Sequence, residues 1–323
     1  MQQIQIVRRG GPEALRCVEA APLPLPAGHV RVSVNAAGVN FADLQMRMGL
    51  YPEAPRLPFV PGFEVAGTVI ETGRGVTSVR AGTRVLAACR FGGYASEISL
   101  PAFQVRPIPR GLSFHEAASI PIAFVTAWVA LIDAARVRAG DRVLVLGAAG
   151  GVGCAMVQIA ARAGARVVGL VGSGAKKRTV RSLGAAQVFT YNEFANRSGA
   201  DTRNFPVILD PRGGPGLRDS LRRLAPGGRV VSYGASSLVA GPRRSIPRII
   251  LGLLRMPIIT PVWFFTANKG VFGLNMLKLF DTEEGQELLR KALDGTLEGF
   301  RKGWYRTIID KVFPLSEAGA AQE

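Results

Sequence analysis

The stretch DRVLVLGAAGGVGCAMVQIAARAGARVVGLVGSGAKKR, residues 141–178, decides the fold. It opens on DRVLVLG, whose apolar run is short enough for one buried strand. It then passes Gly147, Gly150 and Gly153 at a three-residue period and continues as a small-residue helix, GGVGCAMVQIAARAGA. A second buried strand, RVVGLV, follows, and a second helix begins in AKKRTVRSLGA. A tight strand-to-helix turn needs glycine if the backbone is to approach a pyrophosphate. The helix N-terminus beyond it adds unpaired N–H groups and partial positive charge. The same rhythm runs on through QVFTY, FPVILD, LRDSLRRL and GRVVSYG. Strands and helices alternating at this spacing predict an α/β protein with a Rossmann-type, doubly wound parallel sheet, covered on both faces.

The same stretch bears on the choice of dinucleotide. A site for NAD calls for a carboxylate at the end of the second strand, to hold the ribose 2′-hydroxyl. No Asp or Glu occurs between Asp141 and Glu193. The strand runs instead into Gly172-Ser173-Gly174 and then Lys176, Lys177 and Arg178. Cations at a helix N-terminus oppose its dipole unless an anion compensates, and a 2′-phosphate is such an anion. NADPH is therefore the expected cofactor. The plainer alternative is that the glycines only let helix and strand pack closely and that the basic run is a solvated helix start.

Working outward, residues 1–110 are strand-rich: IQIV, HVRVSVNAAGV, FEVAGTVIETG and TRVLAAC cluster β-branched residues between Gly and Pro. They suggest a twisted partial barrel. FHEAASIPIAFVTAWVALIDAARV reads as helix, capped by Ser113 with Glu116 three residues on, and interrupted at Pro121. Residues 266–300 read as helical, and WYRTIIDKVF (304–313) as a strand returning to the first domain. The expected domains are 1–118, 119–262 and 263–323, the last returning to the first.

Composition limits the chemistry. Among 323 residues there are two histidines and three cysteines, too few for a multi-ligand zinc site and no basis for a disulfide framework. The formal charge of +17 raises nucleic-acid binding. That would need a basic stripe with interleaved aromatics, whereas the aromatics cluster at 263–265. No specific nucleic acid is expected, and RNA binding is a remote third option. The greasy runs 143–171 and 246–265 are both broken by arginines, each costing at least ~2.5 kcal/mol at bilayer depth. A cytoplasmic protein is expected, with 246–265 the place for any weak membrane or lipid contact.

The segments GVNFADLQMRMGLYP (38–52), LPFVPGFEVAGTVIETG (57–73), TAWVAL, GAAGGVG, LDPRGG, APGGRVVSYG, NKGVFGLNML and KVFPLSEA occur in order along the chain. In them the chain resembles the zinc-free quinone oxidoreductase branch of the medium-chain dehydrogenase/reductase superfamily, including VAT-1-like proteins. The resemblance implies a GroES-like catalytic domain beside the Rossmann domain, a homodimer, and hydride transfer from NADPH to quinones or enones. Asn40 and Phe63 stand where zinc-dependent relatives place metal ligands. Asn40 and Tyr51 are implied beside the nicotinamide as catalytic groups, with Thr126 at the same end. Gly150, Gly151, Val152 and Gly153 are implied at the pyrophosphate, and Ser173, Lys176 and Tyr191 around the 2′-phosphate. Gly234 and Phe264 complete the expected cofactor contacts. Relatives continue past FPLxEA to a closing strand, whereas this chain ends at AGAAQE, so the edge of its catalytic domain is expected to be shortened.

Without zinc, reduction of a simple carbonyl lacks its Lewis acid, and a hydrophobic conjugated acceptor is the expected substrate. Asn40 is expected to donate to its oxygen through the amide and Tyr51 through the hydroxyl, with Tyr51 or solvent supplying the proton. Asp43 is expected to orient Arg47 four residues on, and Glu64 to tie backbone together. The alternative role is that of a VAT-1-like, NADPH-binding protein acting at lipid with little turnover.

Overall fold

A computed structural model of the chain describes residues 1–238, 250–251 and 254–323. Of the apolar segment 246–265, residues 246–249 and 252–253 lie outside the described residues. The chain divides into two units. Of the described residues, the first holds Met1–Ile122 and Thr307–Glu323, and the second those between Ala123 and Arg306.

In the first unit β-branched alternation builds an antiparallel sheet. Strands β1 (Gln2–Ile6) and β2 (Leu15–Glu19) form a separate pair. Five more, β3 (His29–Ala37), β4 (Glu64–Thr72), β5 (Arg84–Ala88), β6 (Glu97–Pro101) and β7 (Val105–Pro107), lie in the order β6-β3-β4-β5-β7. Val30, Val32, Val65, Val69, Val85 and Leu100 gather in a shared core. Each contributes about 1.5–3 kcal/mol by burial. Two short helices accompany the sheet, α1 (Phe41–Arg47) and α2 (Phe114–Ala118). Ser113 and Glu116 form the expected reciprocal cap on α2.

The second unit begins with α3 (Ala123–Trp128), which widens into a π-helical turn over Val129–Ala134. Its sheet is wholly parallel and six-stranded: β8 (Arg142–Val145), β9 (Arg166–Val171), β10 (Gln187–Thr190), β11 (Phe205–Asp210), β12 (Leu224–Ser232) and β13 (Gly270–Gly273). The order β10-β9-β8-β11-β12-β13 reverses direction between β8 and β11, the switch point where doubly wound sheets open a crevice. Helices α4 (Gly151–Arg162), α5 (Lys177–Ser182), α6 (Tyr191–Ala195) and α7 (Gly216–Arg223) link the strands. The core gathers Leu144, Val168, Leu170, Ile208 and Val230 from the central strands, with Phe205 fully enclosed.

Two expectations are corrected. Residues 263–306 belong to the second unit, because β13 extends its sheet and the helix Glu283–Arg301 packs Phe300 on Phe124 of α3 at 4.8 Å. WYRTIIDKVF is not a strand: no ladder partner among the described residues pairs with it, and Ile308, Ile309 and Val312 stay exposed.

Candidate functional site

The glycine turn closes at the carboxyl end of β8. Gly147 takes φ +64° and donates its N–H to the Tyr191 hydroxyl at 2.8 Å. A Cβ on Gly153 would lie 2.2 Å from the Gly147 carbonyl oxygen, so only glycine lets α4 press against the turn. Cys154 is the first residue of α4 whose N–H finds an intrahelical acceptor, Gly150 O at 2.8 Å. The N–H groups of Gly151, Val152 and Gly153 precede it, and Gly150 and Gly151 are exposed. Helix geometry leaves such groups for an anion or water.

Loops after β11 and β12 close on the same point. Pro211 Cγ lies 3.4 Å from where a Gly147 Cβ would be, and a Gly234 Cβ would fall 2.6 Å from Pro211 O. Asp210, fully buried, fixes this rim by accepting from Arg212 N at 2.8 Å and Ser220 Oγ at 2.5 Å. Gly147, Gly150–Gly153, Tyr191 and Gly234 are thus brought together. Thr126 is buried on α3, whose first residue, Ala123, lies beside Gly151. Phe264 sits on the helix Pro261–Ala267 with its ring 5.6 Å from Trp263, on a segment that packs beside α7.

At the end of β9, Ser173 and Lys176 are exposed, while Lys177 is spent on an ion pair with Glu193 at 2.5 Å. Lys177 and the α6 cap hold Glu193 down at about 2. The basic run therefore divides. Lys177 is structural, and among the described residues Lys176 has no carboxylate partner. The Ser173 hydroxyl and the Lys176 ammonium stand exposed at the strand end, and the Glu193 carboxylate near them is paired with Lys177, a donor set that fits a phosphate monoester.

In the first unit Asn40 caps α1 and is held twice. Its N–H donates to Asp43 Oδ2 at 2.8 Å, and its Nδ2 donates to Glu64 Oε1 at 2.9 Å. Asp43, fully buried, also accepts from Gly62 N at 3.0 Å and the Tyr94 hydroxyl at 3.2 Å. Burial pushes its carboxyl up to about 7 against these hydrogen bonds. Glu64 accepts from Ile122 N at 2.8 Å, and burial, with Asp43 adding to it, pushes its carboxyl up to about 8. Asp43 does not orient Arg47. That guanidinium is buried and donates to Gln322 Oε1 at 2.8 Å and Gly10 O at 2.9 Å, because α1 turns it away from the acid.

Tyr51, Phe63, Phe91 and Phe59 form a chain of rings 5.7–6.2 Å apart. Burial, with Glu53 and Asp43 adding to it, pushes the Tyr51 hydroxyl up to about 12, which makes it a hydrogen-bond donor and a slow acid. No three His, Cys, Asp or Glu side chains among the described residues gather to hold a metal. Sequence reasoning missed the convergence of Asp43 and Glu64 on one asparagine. The available signal was two carboxylates in glycine-flanked apolar segments, GVNFAD and PGFEVAG.

The chain is similar along its whole length to known proteins. Family models described as "Alcohol dehydrogenase GroES-like domain" and "Zinc-binding dehydrogenase" match residues 26–110 and 151–260. A quinone oxidoreductase of Rattus norvegicus is 34% identical, covering 100% of this chain and 93% of that protein. The synaptic vesicle membrane protein VAT-1 homolog of Homo sapiens is 32% identical over 94% of this chain and 77% of its own length. The quinone oxidoreductase from Thermus thermophilus, solved also in complex with NADPH, superposes with a TM-score of 0.81 at 34% identity, covering 100% of this chain and 95% of that one. The first unit is accordingly GroES-like and the second Rossmann-like. The chain belongs to the zinc-free quinone oxidoreductase and VAT-1-like branch of the medium-chain dehydrogenase/reductase superfamily.

Proposed function

We propose that the chain is an NADPH-dependent, zinc-independent reductase of quinones or α,β-unsaturated carbonyl compounds. The observation that carries this reading is the paired character of the second unit's site. A glycine turn with three free helix N–H groups stands beside a strand end bearing Ser173 and Lys176 where an NAD site needs an acid. Gly150, Gly151, Val152 and Gly153 would hold the diphosphate, with Ser173 and Lys176 on the 2′-phosphate. Tyr191 holds the turn by accepting from Gly147 N–H, Gly234 lies beside Pro211 at the same rim, and Thr126 is assigned to the nicotinamide end. Phe264 is the remaining assignment. Bound NADPH supplies the hydride.

The chain's own residues supply orientation and hydrogen bonds. Asn40 is held by its main chain and its side chain, and its Nδ2, which spends one N–H on Glu64, has a second N–H to donate to a substrate oxygen. Tyr51 steadies the same oxygen through its hydroxyl, while solvent delivers the proton, since a phenol raised to about 12 releases one slowly. The rings of Phe59, Phe63 and Phe91 suit a flat, conjugated, hydrophobic substrate, whose delocalisation replaces a Lewis acid.

The test is cofactor kinetics. Lys176→Glu is expected to raise KM for NADPH at least about tenfold, the worth of one charge-assisted hydrogen bond, with KM for NADH nearly unchanged. Equal effects on both cofactors would remove the 2′-phosphate assignment. A second reading, NADPH binding with a role at lipid and little turnover, is favoured by the exposure of Leu254 (78%), Ile258 (94%) and Phe265 (76%). Tight NADPH binding with no turnover on any quinone or enone, together with flotation on liposomes, would favour it.

A further inference from the structure

The proposed reaction puts Asn40 at the substrate oxygen, and the role argued for Glu64 rests on that reading. A carboxamide is nearly symmetric in shape, and its oxygen and its NH2 change places by a half-turn about χ2. Only the NH2 end stabilises an oxygen that gains negative charge, so Asn40 has to be held one way round. Three contacts within the first unit bear on that choice.

The first lies at the start of α1. Asn40 and Asp43 form a capping box: the Asn40 side chain accepts from the Asp43 main-chain N–H, and the Asp43 carboxyl accepts from Asn40 N at 2.8 Å. The end of the carboxamide that faces this N–H is therefore Oδ1. The second contact is Glu64, whose Oε1 takes Asn40 Nδ2 at 2.9 Å. The third holds Glu64 itself. Its Oε2 takes the N–H of Ile122, a main-chain donor that cannot turn round, at 2.8 Å. Glu64 is 3% exposed, and a Cβ on Gly38 would stand 2.1 Å from its Oε1, so the carboxyl has no room to swing away. Both of its oxygens accept, the pattern of an ionised carboxylate.

A donor on one side and an acceptor on the other leave the Asn40 carboxamide a single arrangement. Oδ1 is spent on the Asp43 N–H and one Nδ2 proton on Glu64, and the second Nδ2 proton remains on a half-exposed side chain. A half-turn would set oxygen against carboxylate and NH2 against N–H, two repulsive mismatches at once. We propose that Glu64 is a positioning residue: as a carboxylate anchored on Ile122, it fixes the Asn40 carboxamide with its free N–H toward the substrate oxygen. The role needs an acceptor at Oε1, and a side chain of equal size does not replace it. Glu64→Gln leaves one oxygen, which Ile122 N–H claims, and turns an NH2 on Asn40. Asn40 then meets a donor on both sides and has no single orientation to keep.

The experiment uses the full chain at pH 9 with saturating NADPH and a fixed acceptor. Burial raises Glu64 to about 8, so it is ionised there. In Glu64→Gln, kcat is expected to fall at least about tenfold, since a misdirected donor costs part of the roughly 10²–10³ that a lost one costs. KM should stay within about twofold, as for a contact made in the transition state alone. Asn40→Ala should lose about 100-fold in kcat. The variant carrying both substitutions separates the two roles of Glu64. If Glu64 acts through Asn40, the double variant matches Asn40→Ala alone, whereas the losses of a merely structural glutamate multiply. Multiplying losses, or wild-type kcat in Glu64→Gln, overturn the proposal and leave the reductase reading in place. A second readout needs neither turnover nor a Glu64 variant. In wild-type protein labelled with 15N-asparagine, the two Asn40 side-chain protons are assigned by their loss in Asn40→Ala. The one held by Glu64 should exchange with solvent at least about tenfold more slowly than the other, the worth of one buried hydrogen bond. Two protons that exchange alike overturn the fixed orientation even in an active enzyme. Unequal exchange with no turnover on any acceptor leaves the held carboxamide standing and removes the reductase reading.

Discussion

Asp43 takes three hydrogen bonds on two oxygens, from Asn40 N, Gly62 N and the Tyr94 hydroxyl. A carboxamide in its place has one oxygen. Whichever way that carboxamide is turned, its NH2 faces a backbone N–H, either that of Asn40 or that of Gly62. Leaving such a donor unmatched in a buried site costs about 1–3 kcal/mol. Asp43→Asn is therefore expected to lower the unfolding free energy by that amount in urea titration at pH 8, above the value of about 7 to which burial raises the native acid, so that the comparison is with the ionised form. An unchanged midpoint would mean the three donors find other partners. The sequence marks Asp43 as a charged residue on a helix and suggests Arg47 four residues on, a rule for exposed faces. Both side chains are fully buried, so local spacing gives way to what the packed loops offer: Gly62 and Tyr94 to the acid, Gly10 and Gln322 to the base. These partners are distant in the chain, and no pattern within one segment contains them.

Among the elements, those whose boundaries are set by apolar runs between glycines were legible: β8, β9, β11 and α4 lie within the segments read from the sequence, while β12 starts four residues before GRVVSYG, at Leu224, the end of the stretch LRDSLRRL that reads as helix. The misses have a common cause. β13 is four residues with a glycine at each end, too short and flexible for local propensity to reveal, and exists because β12 offers it a parallel ladder. WYRTIIDKVF has the β-branched composition of a strand and, among the described residues, no ladder to join. Pairing, a long-range fact, decided both cases. The same distinction bears on α4. Its N-terminus depends on Gly153 approaching Gly147 O more closely than any Cβ allows, 2.2 Å. Gly153→Ala is expected to push the turn open and displace the free N–H groups of Gly151 and Val152. NADPH affinity measured by fluorescence titration should fall by at least about tenfold, and overpacking should cost about 1–3 kcal/mol of stability. Full affinity in this variant would show that the turn binds nothing.

At the scale of the whole chain, 40 basic residues share 23 acids. Many arginines settle on carbonyl oxygens and ring faces instead. Arg84 donates to Leu112 O and lies 4.4 Å over Phe114, Arg142 lies 4.6 Å over Phe205, and Arg162 3.9 Å over Trp304. Guanidinium groups are suited to such uses, which spread the charge along the chain. The surface on which a second copy would pair is an edge of the parallel sheet. β13 is the terminal strand of that sheet, Phe272 is 48% exposed, and GVFG holds no lysine or proline of the kind that protects free edges. Leu274 N–H donates to Ser232 O, so by alternation along a parallel ladder the N–H groups of Val271 and Gly273 point outward. Two such edges can pair antiparallel about a two-fold axis, which continues the sheet from one protomer into its partner. The homodimer that the family resemblance implies would use this edge. Wild-type protein should elute with light-scattering mass twice 34.3 kDa. Gly273→Pro removes an outward N–H without touching the β12 ladder and should elute at the monomer mass with its circular dichroism unchanged. A monomeric wild type, or a dimeric Gly273→Pro, would place the contact elsewhere or remove it.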